Sequence, residues 1–161
     1  MAVILINSNL KTGQTMAFLE DYKAHTKERD VLGAPPLALT AEETAELVEL
    51  LKASPILEQD YAMDIFENKV PAGVDDAAYV KAAFLNDVVQ GNVACSVICK
   101  SEAVRILGTM MGGFNVAPLI EALKIEDIAE AAATQLKNTI LVYDSFNDVK
   151  DLMDAGNAHA K

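Results

Sequence analysis

Along most of this chain, apolar residues recur three and four positions apart, the spacing that lines one face of an α-helix. The first such stretch is Phe18 to Arg29, with Phe18, Leu19, Tyr22 and His25 on one stripe. Gly33, Pro35 and Pro36 then forbid a continued helix. Thr40 and Glu43 have the spacing of a capping box, in which each side chain satisfies a backbone N–H of the other. Leu47, Leu50 and Leu51 follow at helical spacing, and Ser54-Pro55 ends that segment. Leu57 to Val70 predicts another helix, with Tyr61, Ile65 and Phe66 inward. Pro71 to Asp75 reads as a turn, and Asp75 is placed to cap a helix with Ala78, Ala82, Leu85 and Val89 on one face. Gly91 closes it.

Asn92 to Lys100 carries no clear period. Ser101 with Glu102 opens the next helix, whose inward positions are expected at Val104, Leu107 and Met111. Val116 to Leu123 is short. Glu126 to Tyr143 is long, with Ile128, Ala132, Leu136, Ile140 and Tyr143 inward. Phe146 to Met153 places Phe146, Val149 and Met153 on one face, and Gly156 to Lys161 reads as a tail. The one doubtful strand is Val3–Ile6. The pattern therefore predicts an all-α fold of about seven or eight helices joined by short Gly/Pro turns, stacked in antiparallel pairs as an α-solenoid. No fixed repeat period is visible, so the solenoid is expected to be irregular. Residues 1–15 differ in composition from the rest and read as an N-terminal extension, either a docking arm or a disordered end. Residues 16–161 read as a single helical domain, and Met16 as an original start.

Leu107 to Ile120 is the most densely punctuated stretch. Gly112 and Gly113 suit the stop of one helix, Asn115 can cap the next, and Pro118 fits its first turn. No nucleophile, base or ligand cluster sits there. Gly112, Gly113, Phe114, Asn115 and Pro118 are instead the candidate interaction surface, against the plainer reading of a helix–turn–helix joint with no role of its own.

Composition narrows the function classes. Apolar residues make up 52% and charged residues 23%, a globular balance. The net charge is −11, and the thirteen basic residues are scattered singly, so nucleic acid is not an expected partner. No apolar run approaches the roughly 20 residues of a membrane-spanning helix. Two cysteines are too few for a disulfide scaffold, which points to a reducing cytoplasm. Cys95 and Cys99 are spaced to share a helical face, yet lack further ligands for a zinc or iron–sulfur site. His25 and His159 lie far apart with no companion motif. Asp144, Asp148 and Asp151 lack the glycine and terminal glutamate of a calcium loop and read as a solvated acidic face. No catalytic, cofactor-binding or metal-binding residue is assigned.

Several blocks together carry a resemblance. They are Tyr22, His25 and Glu28-Arg29; Leu47, Leu50-Leu51-Lys52; Val70-Pro71, Gly73-Val74-Asp75; Ala78 to Ala82; Leu107 to Met110 with Gly112 to Asn115 and Pro118-Leu119-Ile120; Asp144, Phe146, Asp148-Val149; and Gly156-Asn157 with Ala160-Lys161. In that order, over Met16 to Lys161, the chain resembles the N-terminal HEAT-like domain of bacterial aconitase B enzymes. The resemblance implies a helical superhelix that makes protein–protein contacts, packing on catalytic domains beside a channel to the active site, and taking part in dimerisation. It places the chemistry elsewhere: a [4Fe–4S] cluster held by three cysteines of other domains dehydrates citrate and rehydrates cis-aconitate to isocitrate in the tricarboxylic acid cycle. Cys95 and Cys99 match none of those ligands.

Two readings follow. In the first, the chain is a non-catalytic interaction domain whose partner is its own kind or aconitase catalytic domains, as a fragment of the enzyme or as a free-standing adaptor. In the second, it is a small-ligand-binding protein or enzyme that reuses the helical fold, with Tyr79, Lys81, Arg105 and Asn115 converging in a pocket.

Overall fold

The computed structural model describes the backbone of residues 2–53, 58–139 and 142–161, and side chains from residue 17 onward except that of Asp144. Among the described residues every regular element is helical: α1 (Ala2–Val31), α2 (Ala41–Lys52), α3 (Gln59–Asn68), α4 (Asp76–Gln90), α5 (Lys100–Gly108), α6 (Val116–Ala122), α7 (Glu126–Asn138) and α8 (Phe146–Asp154). Val3–Ile6, the one doubtful strand, lies within α1, which is much longer than the Phe18–Arg29 segment predicted. Ser54-Pro55 and Ile140 fall outside the described residues.

Thr40 illustrates how local chemistry starts an element. Its hydroxyl accepts from the Glu43 N–H at 3.2 Å, and the Glu43 carboxylate accepts from the Thr40 N–H at 2.8 Å, the predicted capping box. Thr40→Ala should therefore cost about 1 kcal/mol in a urea titration. A midpoint equal to wild type would show that the cap contributes nothing. Asp75 and Gly91 bound α4 as expected; Gly91 takes φ 78°, the left-handed conformation that ends helices, while the Asp75 side chain makes no capping bond.

The helices stack in a chain of neighbours, α1 on α2, α2 on α4, α4 on α5 and α5 on α7, with α3 against α2 and α6 wedged against α4, α5 and α7. This is the HEAT-like, irregular helical stack expected. One continuous core runs through it, from Phe18, Leu19 and Tyr22 of α1, through Leu47, Leu51, Ile65, Phe66 and Leu85, to Leu107, Leu119 and Ala132. The rings of Phe66 and Phe84 meet edge to face at 5.7 Å inside it. His25, on the rim of the α1 stripe, accepts the Leu37 N–H through Nε2 at 3.0 Å and so ties the Pro-rich connection to α1.

The far end departs from the helical period. α7 stops at Asn138, and Tyr143 sits in a short 3-10 turn, 79% exposed rather than inward. α8 has an apolar face, but Phe146 is 66% exposed and Met153 is exposed as well; none of its described side chains is buried. Periodicity announces an apolar stripe and does not say whether the same chain covers it. The stretch after Gly156 is tied down rather than loose. Asn157 donates to the Leu123 carbonyl at 2.8 Å and accepts from the His159 and Ala160 N–H groups.

Candidate interaction surface

Two turns meet on one side of the stack: residues 71–75 between α3 and α4, and residues 109–115 between α5 and α6. The Met111 N–H donates to the Ala72 carbonyl at 2.8 Å. The backbones are so close that a Cβ on Gly112 would lie 1.8 Å from the Gly73 carbonyl oxygen. Gly113 is needed for a different reason, since it takes φ +91°, which side chains rarely adopt.

Asn115 holds the second turn from below. It is fully buried, and its Nδ2 donates to the carbonyls of Leu107 at 2.9 Å and Met110 at 3.0 Å. Leu107 lies in the last turn of α5 and Met110 just beyond it; the Leu107 carbonyl also accepts the Met110 N–H at 3.1 Å, so Asn115 adds a second donor there and ties down the residue that follows the helix. Asn115 was expected to cap α6. It occupies the N-cap position, but its side chain makes no bond to α6 and closes the preceding helix instead. Asn115→Ala should cost about 2 kcal/mol, because the buried Met110 carbonyl loses its donor and the Leu107 carbonyl is left with the Met110 N–H alone. The urea midpoint measures this; a change below about 0.5 kcal/mol would mean the carbonyls find other donors.

On this base stand apolar side chains that face out. Val74 is 75% and Met111 74% exposed, and Tyr79 is largely exposed too. Phe114, half-buried, meets the Tyr79 ring edge to face at 5.5 Å. Met111 had been expected inward; the helix ends at Gly108, and beyond it the neighbouring Met110 takes the buried place. Of the five residues singled out from sequence, Gly112, Gly113, Phe114 and Pro118 are half-buried and Asn115 is buried, so the outward surface also draws on Val74 and Tyr79. Val74 was missed. An apolar residue inside a Pro/Gly/Asp turn was the available signal.

The pocket considered for a small ligand does not assemble. Tyr79 leans on Phe114 at the surface, and Asn115 is consumed beneath the turn. Lys81 is buried under α3, donating to the Glu67 carbonyl at 3.1 Å with its ammonium 5.1 Å from the Phe66 ring centre. Arg105 is clamped by Glu102 at 2.7 Å and Glu67 at 2.6 Å, and these carboxylates raise its pKa. Neither of two surface clefts, of about 310 and 200 Å³, is lined by any of the four.

Nor do the thiols fit an iron–sulfur cluster. The chain has two cysteines, and Cys95 and Cys99 precede α5 rather than sharing a helical face. Cys95 donates to the Leu51 carbonyl; Cys99 lies beside the Ser101 hydroxyl, which lowers its pKa. Among the described residues no group of three or more His, Cys, Asp or Glu side chains is arranged to hold a metal ion. Asp148 and Asp151 line the larger cleft with Glu121. Among the same residues no helix is long and apolar enough to cross a membrane.

The fold and this surface define a HEAT-like stack of helices with an apolar ridge on its exterior. Residues 21–161 match the family described as the aconitate B N-terminal domain, and the chain belongs to that family. It is similar to aconitate hydratase B of Pseudomonas aeruginosa, 48% identical over 143 residues that make up 89% of this chain and 16% of that protein. Aconitate hydratase B of Synechocystis sp. is 51% identical over 145 residues, 89% of this chain and 17% of the relative, and that of Helicobacter pylori is 43% identical over 146 residues. The chain thus spans about a sixth of the length of the curated relatives it matches.

Proposed function

We propose that this chain is a non-catalytic contact module of the aconitase B system, working in the cytoplasm. Its partner is either the catalytic part of an aconitate hydratase B or a second copy of itself, and the cluster chemistry belongs to that other part. The observation that carries this reading is the ridge of Val74 and Met111, exposed on two interlocked turns, with exposed Tyr79 in the first turn of α4. Contiguous exposed apolar groups on a rigid base mark a surface that meets another molecule. Membership in the family supports the aconitase connection, and two free thiols suit a reducing compartment.

Multi-angle light scattering tests the proposal, with the chain alone and mixed with the remainder of a relative's aconitate hydratase B made as a separate polypeptide. A dimer or a mixed complex is expected; a monomer in both samples defeats it. Citrate turnover by the purified chain would also defeat it. A thermal-shift screen with tricarboxylic acids checks the small-ligand alternative, since a ligand bound only by the folded state raises Tm. No shift is expected.

A further inference from the structure

The charges around the ridge say more about its occupant than its apolar centre does. Val74 is followed directly by Asp75 and Asp76, both exposed and without an ion-pair partner among the described residues. The positive end of α4 offsets only part of these two charges. Arg105 on α5 is already held by Glu67 and Glu102. The ridge is therefore an apolar centre with an unneutralised acidic border.

Two identical copies meeting through this ridge about a two-fold axis would place the same border on both sides. Each copy also carries a net charge of −11. Like charges brought together at an interface are costly, whereas opposite charges speed encounter and select the partner. From this, and resting on the contact-module reading above, we infer that Val74, Tyr79 and Met111 dock a different protein segment, one presenting an apolar anchor flanked by lysine or arginine. Methionine and aromatic side chains are what interface centres favour. The backbone lock between Met111 and Ala72 holds them in place before the partner arrives, which lowers the ordering cost of binding.

Fluorescence anisotropy with two labelled amphipathic helical peptides of equal length, one of leucine and lysine, the other of leucine and glutamate, tests this on the intact chain. The lysine peptide should bind and the glutamate peptide should not. Val74→Ser with Met111→Ser should weaken binding about tenfold, and Asp75→Asn with Asp76→Asn about fivefold, with helical circular dichroism unchanged. Asp148→Asn with Asp151→Asn, which removes the same charge from α8, should leave affinity unaltered. The inference is overturned by binding of both peptides or of neither. It is equally overturned by an equal loss from the α8 variant, or by no loss from the serine variant. Light scattering separates the two levels. A mixed complex with the aconitase remainder that tolerates Val74→Ser/Met111→Ser keeps the contact-module reading and sinks the docking ridge. A homodimer dissolved by those serines also sinks the heterotypic assignment.

Discussion

Gly112→Ala should destabilise the chain by about 3 kcal/mol or more. The obstacle is backbone, not side chain: the added methyl would sit 1.8 Å from the Gly73 carbonyl oxygen and 2.2 Å from its carbon. A flexible side chain could swing away from such a contact, but a turn already bonded through Met111 N–H to Ala72 can yield only by parting from its neighbour. Gly113→Ala provides the comparison. At Gly113 the space is open and only the positive φ resists, so its cost should stay near 1 kcal/mol. Urea midpoints of the two variants, taken side by side, decide the matter. Equal midpoints would mean that the two turns do not depend on each other. The effect should reach beyond stability, because the contact that Gly112 permits is what sets Met111 beside Val74.

Lys81 supplies the other large effect, and it appears as a dependence on pH. Burial pushes its pKa down from 10.5 to about 8; Glu67 works against that shift and the Arg105 guanidinium adds to it. Between pH 8 and pH 10.5 the unfolded chain therefore holds a proton that the folded chain has released. Folding stability should rise with pH across that window, by about 3 kcal/mol in all. Below pH 8 both states are charged and the gain is absent. Tyr22 acts in the opposite sense at higher pH: burial raises its pKa from 10.0 to about 12, so the stability it contributes is lost as pH climbs through that interval. Comparing wild type with Lys81→Met cancels Tyr22, which both share. The difference in unfolding free energy between them should grow in favour of wild type from pH 8 to pH 10. A constant difference would mean that Lys81 keeps its ordinary pKa in the fold.

How far each feature was legible depended on the range of the force behind it. The capping box at Thr40, the glycine stop at Gly91 and the inward faces of α2 and α4 are decided within a few residues, and they appear where the pattern predicted them. Met111, Tyr143 and Phe146 were misplaced inward because helical period was extended past the points where α5 and α7 end, or onto α8, none of whose described side chains is buried. Asn115 holds the N-cap position of α6 that its place in the chain predicts, but its side chain bonds back toward α5. An asparagine between two helices can serve either one, and the choice rests on which backbone groups lie within reach.

By itself the sequence determined an all-helical chain, the bounds of most helices, the residues that fill the core, and, through its ordered motifs, membership in the aconitase B N-terminal family. Period, capping and turn chemistry act over one or two turns of chain, so they can be read in order. Only the tertiary structure decided that the turn after α3 locks onto the turn after α5, that Lys81 and Arg105 serve packing rather than a pocket, and that Val74 joins Tyr79 and Met111 on one ridge. Those facts depend on residues from 14 to about forty positions apart arriving at the same place, and no local preference encodes a meeting of that kind.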